Sequence, residues 1–312
     1  MNKVIYTRYG NADVLQIAEA AVPTLHENDI LVKVKAVSIN PLDWKLFKGE
    51  MKMISGFRFP KGAGIDFSGI IERTGSRISK FKKTDEVFGL TDVFKGGALA
   101  EYIIVGEKDI AIKPKNISFE QAAALPVVGS SALQILDKLV SIKNGTELLI
   151  NGATGGIGMI VTQLASKRGA VITAVTNLKG RELAKRWGAD EIIDYKTQNI
   201  LSIHKTFDIV IDLSGKLTFK NAKPILKSES VFISTIPGPG AIIGSFINNI
   251  FSGKKYKILL LKASPEYLKS LAALTEEGLD IMVEKSYPLT SVKEAYNEAA
   301  KGGILGKVVI TI

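Results

Sequence analysis

The chain has 312 residues, of which 46% are hydrophobic and 23% charged, enough for two hydrophobic cores and too apolar for extensive disorder. It has no cysteine and only two histidines, His26 and His204, which excludes disulfides, a thiolate nucleophile and a zinc centre built on cysteines or several imidazoles. Lysine and arginine number 41 against 31 acidic residues, and the resulting charge of +10 favours anionic ligands.

The chain opens on Met1-Asn2-Lys3-Val4-Ile5-Tyr6, a strand-like pattern with no apolar signal core, so a soluble, cytoplasmic protein is expected. Short apolar runs at 30–37, 69–71, 86–89 and 98–105, punctuated by glycine and charge, predict a barrel-like β domain over residues 1 to about 120. Residues 119–139 read as helix, interrupted by Pro126 and Gly129. Apolar strands at 148–150, 170–175, 207–212 and 230–234 then alternate with helical segments such as 156–167 and 181–187. That is the signature of a parallel sheet covered on both faces. A helix over 264–277 is marked by Leu268, Leu271 and Leu274. A second helix over 292–300 precedes a last strand, 306–312, expected to return to the first domain. No uncharged apolar run reaches the roughly 18–20 residues of a spanning helix. The longest, 237–251, is broken by Gly and Asn and is the one membrane-facing patch expected.

The strongest local signal is Asn151-Gly152-Ala153-Thr154-Gly155-Gly156-Ile157-Gly158, between a buried-strand pattern and an amphipathic helix. Gly152 permits a tight turn, Gly155 lets the backbone approach a pyrophosphate, and Gly158 permits close helix–sheet packing. Gly152, Thr154, Gly155, Gly156, Ile157 and Gly158 are therefore cofactor-binding candidates. The spacing departs from the strict GxGxxG spelling, so the repeated strand–helix context carries the reading. After the next strand the chain reads Thr176-Asn177-Leu178-Lys179-Gly180-Arg181. The acid that would hold the ribose hydroxyls of NAD is missing. Thr176 and Asn177 supply hydrogen bonds, Lys179 and Arg181 can neutralise a 2′-phosphate, and NADPH is the expected cofactor. Thr235 and Ile236, after the strand at 231–233, are placed at the carboxyl edge of the sheet, near the nicotinamide.

Across nearly its whole length the chain resembles the medium-chain dehydrogenase/reductase superfamily, and within it the zinc-free quinone oxidoreductase branch of chloroplast-envelope-type and reticulon-interacting-protein-like reductases. The resemblance rests on Ser38-Ile39-Asn40-Pro41-Leu42-Asp43-Trp44-Lys45, Gly64-Ile65-Asp66-Phe67-Ser68-Gly69, Gly97-Ala98-Leu99-Ala100-Glu101-Tyr102, the Ala124-Leu125-Pro126 segment, the glycine loop, Gly188-Ala189-Asp190, Ile193-Asp194-Tyr195-Lys196 and Gly306-Lys307-Val308-Val309. It implies an α/β Rossmann domain with a parallel sheet at 123–285 and a GroES-like β-barrel domain at 1–122 and 286–312, with the cofactor in the cleft. In zinc-dependent relatives the positions of Asn40 and Ile65 hold a metal-ligating cysteine and histidine, so no metal is implied here. The resemblance also implies that Ser131 stands near the nicotinamide, where a threonine is common, and Tyr195 near the adenosine. Leu305 replaces an arginine found near the cofactor in many relatives.

The implied activity is zinc-independent hydride transfer from NADPH to a small-molecule quinone or αβ-unsaturated carbonyl. Asn40, Asp43 and Lys45 are the catalytic candidates: the Asn40 amide to orient the nicotinamide or a carbonyl oxygen, and Asp43 to hold Lys45 or a loop amide. Trp44 and Phe47 offer an aromatic wall or domain core. Asp66 is expected to make a structural hydrogen bond, since a buried carboxylate requires a partner. The alternative is a non-catalytic NADPH-binding sensor or interaction protein. The resemblance also carries a homodimer. In one reading of the sequence 230–233, beside the apolar patch 241–247, pairs as an edge strand across a two-fold axis while 242–251 covers the junction or borders the substrate entrance. In the other the chain is a monomer whose late strand that segment already covers. No nucleic acid is expected, because the basic charge comes with no finger, ribonucleoprotein motif, concentrated basic arm or aromatic platform.

Overall fold

The computed structural model describes residues 1–235 and 240–312. They form two compact units, Met1–Ser130 with Ala263–Ile312, and Ser131–Lys262. The first unit begins with β1 (Asn2–Tyr6), β2 (Gln16–Glu19), β3 (Ile30–Ser38), β4 (Lys61–Gly62), β5 (Asp66–Thr74), β6 (Glu86–Leu90), β7 (Tyr102–Val105) and β8 (Ile110–Ile112). The second holds β9 (Glu147–Asn151), β10 (Val171–Thr176), β11 (Glu191–Asp194), β12 (Phe207–Asp212), β13 (Leu226–Ser234) and β14 (Lys254–Ile258). The chain then returns to the first unit with β15 (Val283–Pro288) and β16 (Lys307–Thr311).

In the first unit, one sheet runs β15-β16-β3-β5-β6-β8, with β7 paired to β3, and a smaller sheet runs β2-β1-β4. All neighbours are antiparallel except β15 and β16. Strand β3 buries seven of its nine residues and leaves only Lys33 exposed and Lys35 half-buried, so both faces are largely covered. The run at 98–105 forms a strand only over Tyr102–Val105. Ala98, Leu99 and Ala100 are buried, and this stretch meets β1 at an isolated bridge, Lys3 to Ala100, flanked by the Val4 N–H on Leu99 O and the Glu101 N–H on Asn2 O. Helix Pro265–Glu276 belongs to this unit, although the sequence reading grouped it with the parallel sheet. Leu268 and Leu271 bury its inner face, and Asn116 Nδ2 donates to Thr275 O at 2.9 Å.

The second unit is a six-stranded, wholly parallel sheet in the order β11-β10-β9-β12-β13-β14. Numbered from β9, this is the doubly wound order 3-2-1-4-5-6, whose direction reverses between β9 and β12. Leu148, Leu149 and Ile150 of β9 and Val210 and Ile211 of β12 are buried, as a sheet covered on both faces requires. Strand β14 was not legible, because Lys254-Lys255-Tyr256-Lys257-Ile258 reads as polar. It makes β13 an interior strand, which corrects the expectation that 230–233 is a free edge. Among the described residues no helix is long and apolar enough to cross a membrane.

Candidate active site

In the first unit the register of three strands assembles a buried polar cluster. Ser38, at the end of β3, pairs with Asp66 at the start of β5 and with Val309 of β16. Continuing that antiparallel register sets Lys307 opposite Asn40. Asp66 is fully buried and accepts from Ser38 Oγ at 3.1 Å, Asn40 Nδ2 at 2.9 Å and the Val127 N–H at 3.0 Å. Lys307, also buried, donates to Ile39 O at 2.7 Å and Asn40 Oδ1 at 2.5 Å. Helix Pro41–Phe47 starts from Asn40 with proline in its first turn, and Asp43 accepts the Asn40 N–H at 2.7 Å, steadying that turn.

Burial governs the charges here. It pushes Asp66 up to about 6, against the pull of Lys307 and the Asn40, Ser38 and Val127 donors. It pushes Asp43 up to about 7, opposed by the Asn40 N–H and Lys307 and reinforced by Asp66. Lys307 is pushed down by burial, and both carboxylates pull it back. Burial and Asp43 also raise the Tyr296 phenol well above its ordinary value. Asp43 Oδ1 and Tyr296 Oη each lack a hydrogen-bond partner of standard geometry, yet they lie close enough to bias each other's protonation.

This geometry revises the reading of Asn40 and decides between the alternatives for Asp43 and Phe47. The Asn40 amide is spent: Nδ2 serves Asp66 and Ser38 O, Oδ1 takes Lys307, and the residue is 1% exposed. Asn40 therefore frames the site instead of reaching out from it. Asp43 holds a loop amide, as one expected alternative had it, and not Lys45. Two residues on a helix stand about 200° apart, so positions 43 and 45 face opposite ways. Lys45 is half-buried, outside the cluster. Phe47 is core, edge-on to Tyr296 with ring centroids 5.2 Å apart, and Trp44 is partly buried against the same core. The structural reading of Asp66 matches its three donors. Lys307 and Tyr296 escaped notice, although a lone lysine in the apolar run Lys307-Val308-Val309-Ile310 and a lone acid in Ile65-Asp66-Phe67 were signals that each needed a partner.

The second unit carries the glycine turn at the switch point between β9 and β12. Gly152 has φ +94°, a conformation that glycine alone adopts readily. A Cβ at Gly158 would stand 2.2 Å from Gly152 O and 2.6 Å from the Ala153 backbone, so the first turn of helix Gly156–Lys167 packs on the loop only as glycine. A Cβ at Gly155 would meet only Gly152 O, at 3.5 Å, which leaves the turn's surface clear for a ligand. Thr154 and Thr176 are both buried and share a hydroxyl–hydroxyl contact of 2.5 Å that pins the loop to the end of β10. Asn151 Nδ2 donates to Asp212 Oδ1 and Ser214 Oγ, both at 2.8 Å, and locks β9 to β12 across the switch point. Burial raises the Asp212 carboxyl. That lock was not anticipated, although Asn151 stood in the motif.

Beside this loop, Asn177 Oδ1 caps the Gly180 N–H at 3.0 Å, and Lys179 and Arg181 are exposed. Tyr195 follows β11 at the carboxyl edge, with its N–H on Thr176 O at 3.1 Å. It is exposed, and the Lys216 ammonium lies 5.3 Å from its ring centre. Thr235 directs its N–H and hydroxyl to Asp212 O, both at 3.3 Å. Ser131 is buried, as is Leu305, whose N–H is held by Glu284 at 2.7 Å. Ile236 lies outside the described residues. These groups fit a phosphorylated dinucleotide: a clear glycine turn, a helix N-terminus, and cations where a ribose-binding acid is absent. The zinc-ligand positions do not suit zinc, because Ile65 is a buried alkyl group and Asn40 already accepts an ammonium.

The family described as "Alcohol dehydrogenase GroES-like domain" matches residues 26–115, and that described as "Zinc-binding dehydrogenase" matches residues 187–310. The chain is 31% identical to the chloroplast envelope quinone oxidoreductase homolog of Arabidopsis thaliana, covering 99% of this chain and 98% of that one. It is 34% identical to the 2-methylene-furan-3-one reductase of Solanum lycopersicum over 98% of this chain and 77% of that one. Among solved structures, the quinone oxidoreductase from Coxiella burnetii superposes with a TM-score of 0.91 at 28% identity, covering 100% and 99% of the two chains. The expected cytoplasmic location is overturned by the comparisons: relatives at 30–31% identity are named as chloroplast proteins and mammalian NAD(P)H oxidoreductases at 29–30% identity as mitochondrial. The chain belongs to the medium-chain dehydrogenase/reductase superfamily, in its zinc-free, quinone-oxidoreductase-like branch.

Proposed function

We propose that the chain is an NADPH-dependent, zinc-independent reductase that delivers hydride to a quinone or an αβ-unsaturated carbonyl. The carrying observation is the glycine turn at the switch point of a 3-2-1-4-5-6 sheet whose neighbouring strand ends in Thr176 and Asn177, with no acid, beside Lys179 and Arg181. The turn Gly152–Gly158 and the helix N-terminus behind it hold the pyrophosphate. Thr176, Asn177, Lys179 and Arg181 take the adenosine ribose and its 2′-phosphate, Tyr195 flanks the adenine, and Ser131 and Thr235 serve the nicotinamide end. When bound, the cofactor supplies the hydride. Asn40 and Asp43 set the backbone that lines the first unit's site, Lys45 is the cation proposed for the developing oxyanion, and water supplies protons to a quinone product. The substrate class is supported by relatives named for quinones and for a methylene-furanone, which is a conjugated enone.

Purified protein in metal-free buffer should oxidise NADPH, followed by its absorbance, with short-chain quinones or simple enones. Cofactor binding without turnover on either panel refutes the proposal and favours the sensor reading. A homodimer belongs to the same proposal and is supported by the resemblance alone. Sedimentation over a range of concentrations that finds only the 33.7 kDa chain refutes it.

A further inference from the structure

The helix Ala241–Phe251 is turned inside out. Its polar residues face the sheet: Asn248 Nδ2 donates to Lys254 O at 2.7 Å, Asn249 Nδ2 donates to Tyr256 O at 2.7 Å, and Asn249 Oδ1 accepts the Tyr256 N–H at 2.7 Å. These asparagines satisfy backbone groups of the edge strand β14 that another strand would otherwise pair. Its described large apolar residues face away. Ile243, Phe246, Ile247, Ile250 and Phe251 are between 54 and 84% exposed, and their spacing of 3, 1, 3 and 1 makes one continuous stripe. Isolated apolar residues on a surface need no explanation, but five large ones on a single helix face do.

Cations follow directly. Lys254, Lys255 and Lys257 are half-buried and rest their ammoniums on the backbone carbonyls of Lys223, Asn249 and Leu139 at 2.7–2.8 Å. None of them forms an ion pair with a described carboxylate; Glu229, behind Gly253, and Asp208, paired with Lys227, line the same hollow as Lys255. The helix itself carries no acidic residue.

We propose that this face docks on an anionic lipid bilayer, with the helix lying in the boundary between headgroups and acyl chains. Its 11 residues extend about 16 Å, about half of a hydrocarbon core, so it lies on the membrane and does not cross it. The apolar stripe enters the lipid, and the lysines and the chain's +10 charge meet the anionic headgroups. A second copy fits this face poorly. Pairing two copies edge to edge across a two-fold axis is blocked, because the edge of β14 is already occupied by Asn248 and Asn249. The proposal does not depend on the reductase reading.

The test is flotation of the full chain with vesicles of phosphatidylcholine alone and of phosphatidylcholine containing about one-third phosphatidylglycerol. Flotation is expected with the anionic vesicles and should weaken as salt rises. Phe246→Ser with Ile250→Ser should lower partitioning on the order of a hundredfold. Lys254→Glu with Lys255→Glu should lower it on the order of tenfold or more, on anionic vesicles only. All four side chains lie outside the cofactor and catalytic machinery, so unchanged circular dichroism and unchanged NADPH binding certify the folded variants. The proposal is overturned if the parent protein stays unbound with anionic vesicles, if the Phe246/Ile250 variant floats as the parent does, or if those substitutions instead dissolve a dimer.

Discussion

Replacing Lys307 by Met tests whether one buried cation holds the polar cluster of the first unit together. The side chain is 4% exposed and donates two short hydrogen bonds, to Ile39 O and Asn40 Oδ1, and its charge steadies Asp43 and Asp66, both buried. Methionine keeps the length and removes the donors and the charge. The lost hydrogen bonds, both from the charged ammonium to neutral oxygens, cost about 1.5–3 kcal/mol. Losing the nearby cation that offsets two buried carboxylates raises the total to about 3–5 kcal/mol when they stay ionised. The sign with pH follows from the carboxyls. In the parent they are pushed up to about 6 and about 7, so their contribution to stability is full below about 4 and is lost as pH rises through those values. Lys307, pushed down, acts in the opposite sense at alkaline pH. Without Lys307 both carboxyls rise further. The variant should therefore lose about 1.5–3 kcal/mol near pH 5, where the carboxyls are neutral, and about 3–5 kcal/mol near pH 7.5. Urea unfolding followed by circular dichroism and tryptophan fluorescence at the two pH values measures this. An equal loss at both would mean that Lys307 acts only through packing and its two hydrogen bonds, and the electrostatic argument would fail.

Gly158→Ala places a methyl group within 2.2 Å of Gly152 O, so the turn must open; NADPH affinity, read by fluorescence titration, should fall at least tenfold, on the order of 1.4 kcal/mol, while an unchanged affinity would detach the turn from cofactor binding. Lys179→Ala with Arg181→Ala should weaken NADPH on the order of tenfold to a hundredfold and leave NADH nearly unaffected, and equal losses would show that these cations do not read the 2′-phosphate. Thr176→Val strands the buried Thr154 hydroxyl and should cost about 1–3 kcal/mol in chemical denaturation. No loss there would mean that the hydroxyl pair does not pin the loop.

What the sequence determined by itself is what repeats along the chain. Apolar strands alternating with amphipathic helices specify a parallel sheet, because every strand must be covered on both faces. A glycine turn between such a strand and helix specifies the phosphate end, because the needed φ and the close packing at Gly152 and Gly158 are local requirements. The missing acid after β10 is equally local. The tertiary structure decided whatever depends on partners far away in sequence. Lys307 meets Asn40 only because β16 returns beside β3, and Asp66 finds the Val127 N–H only when the helix at Pro126–Gln134 is in place. Asn40 looked available as a reaching amide, and burial beside two charged groups turned it into a spacer. Strand β14 was hidden because its lysines lie along an edge, where long side chains reach past the sheet to distant carbonyls and leave no apolar period to read. The outward stripe of helix Ala241–Phe251 was visible as an apolar run, but which side it turned to solvent depended on Asn248 and Asn249 bonding to a strand the sequence did not reveal.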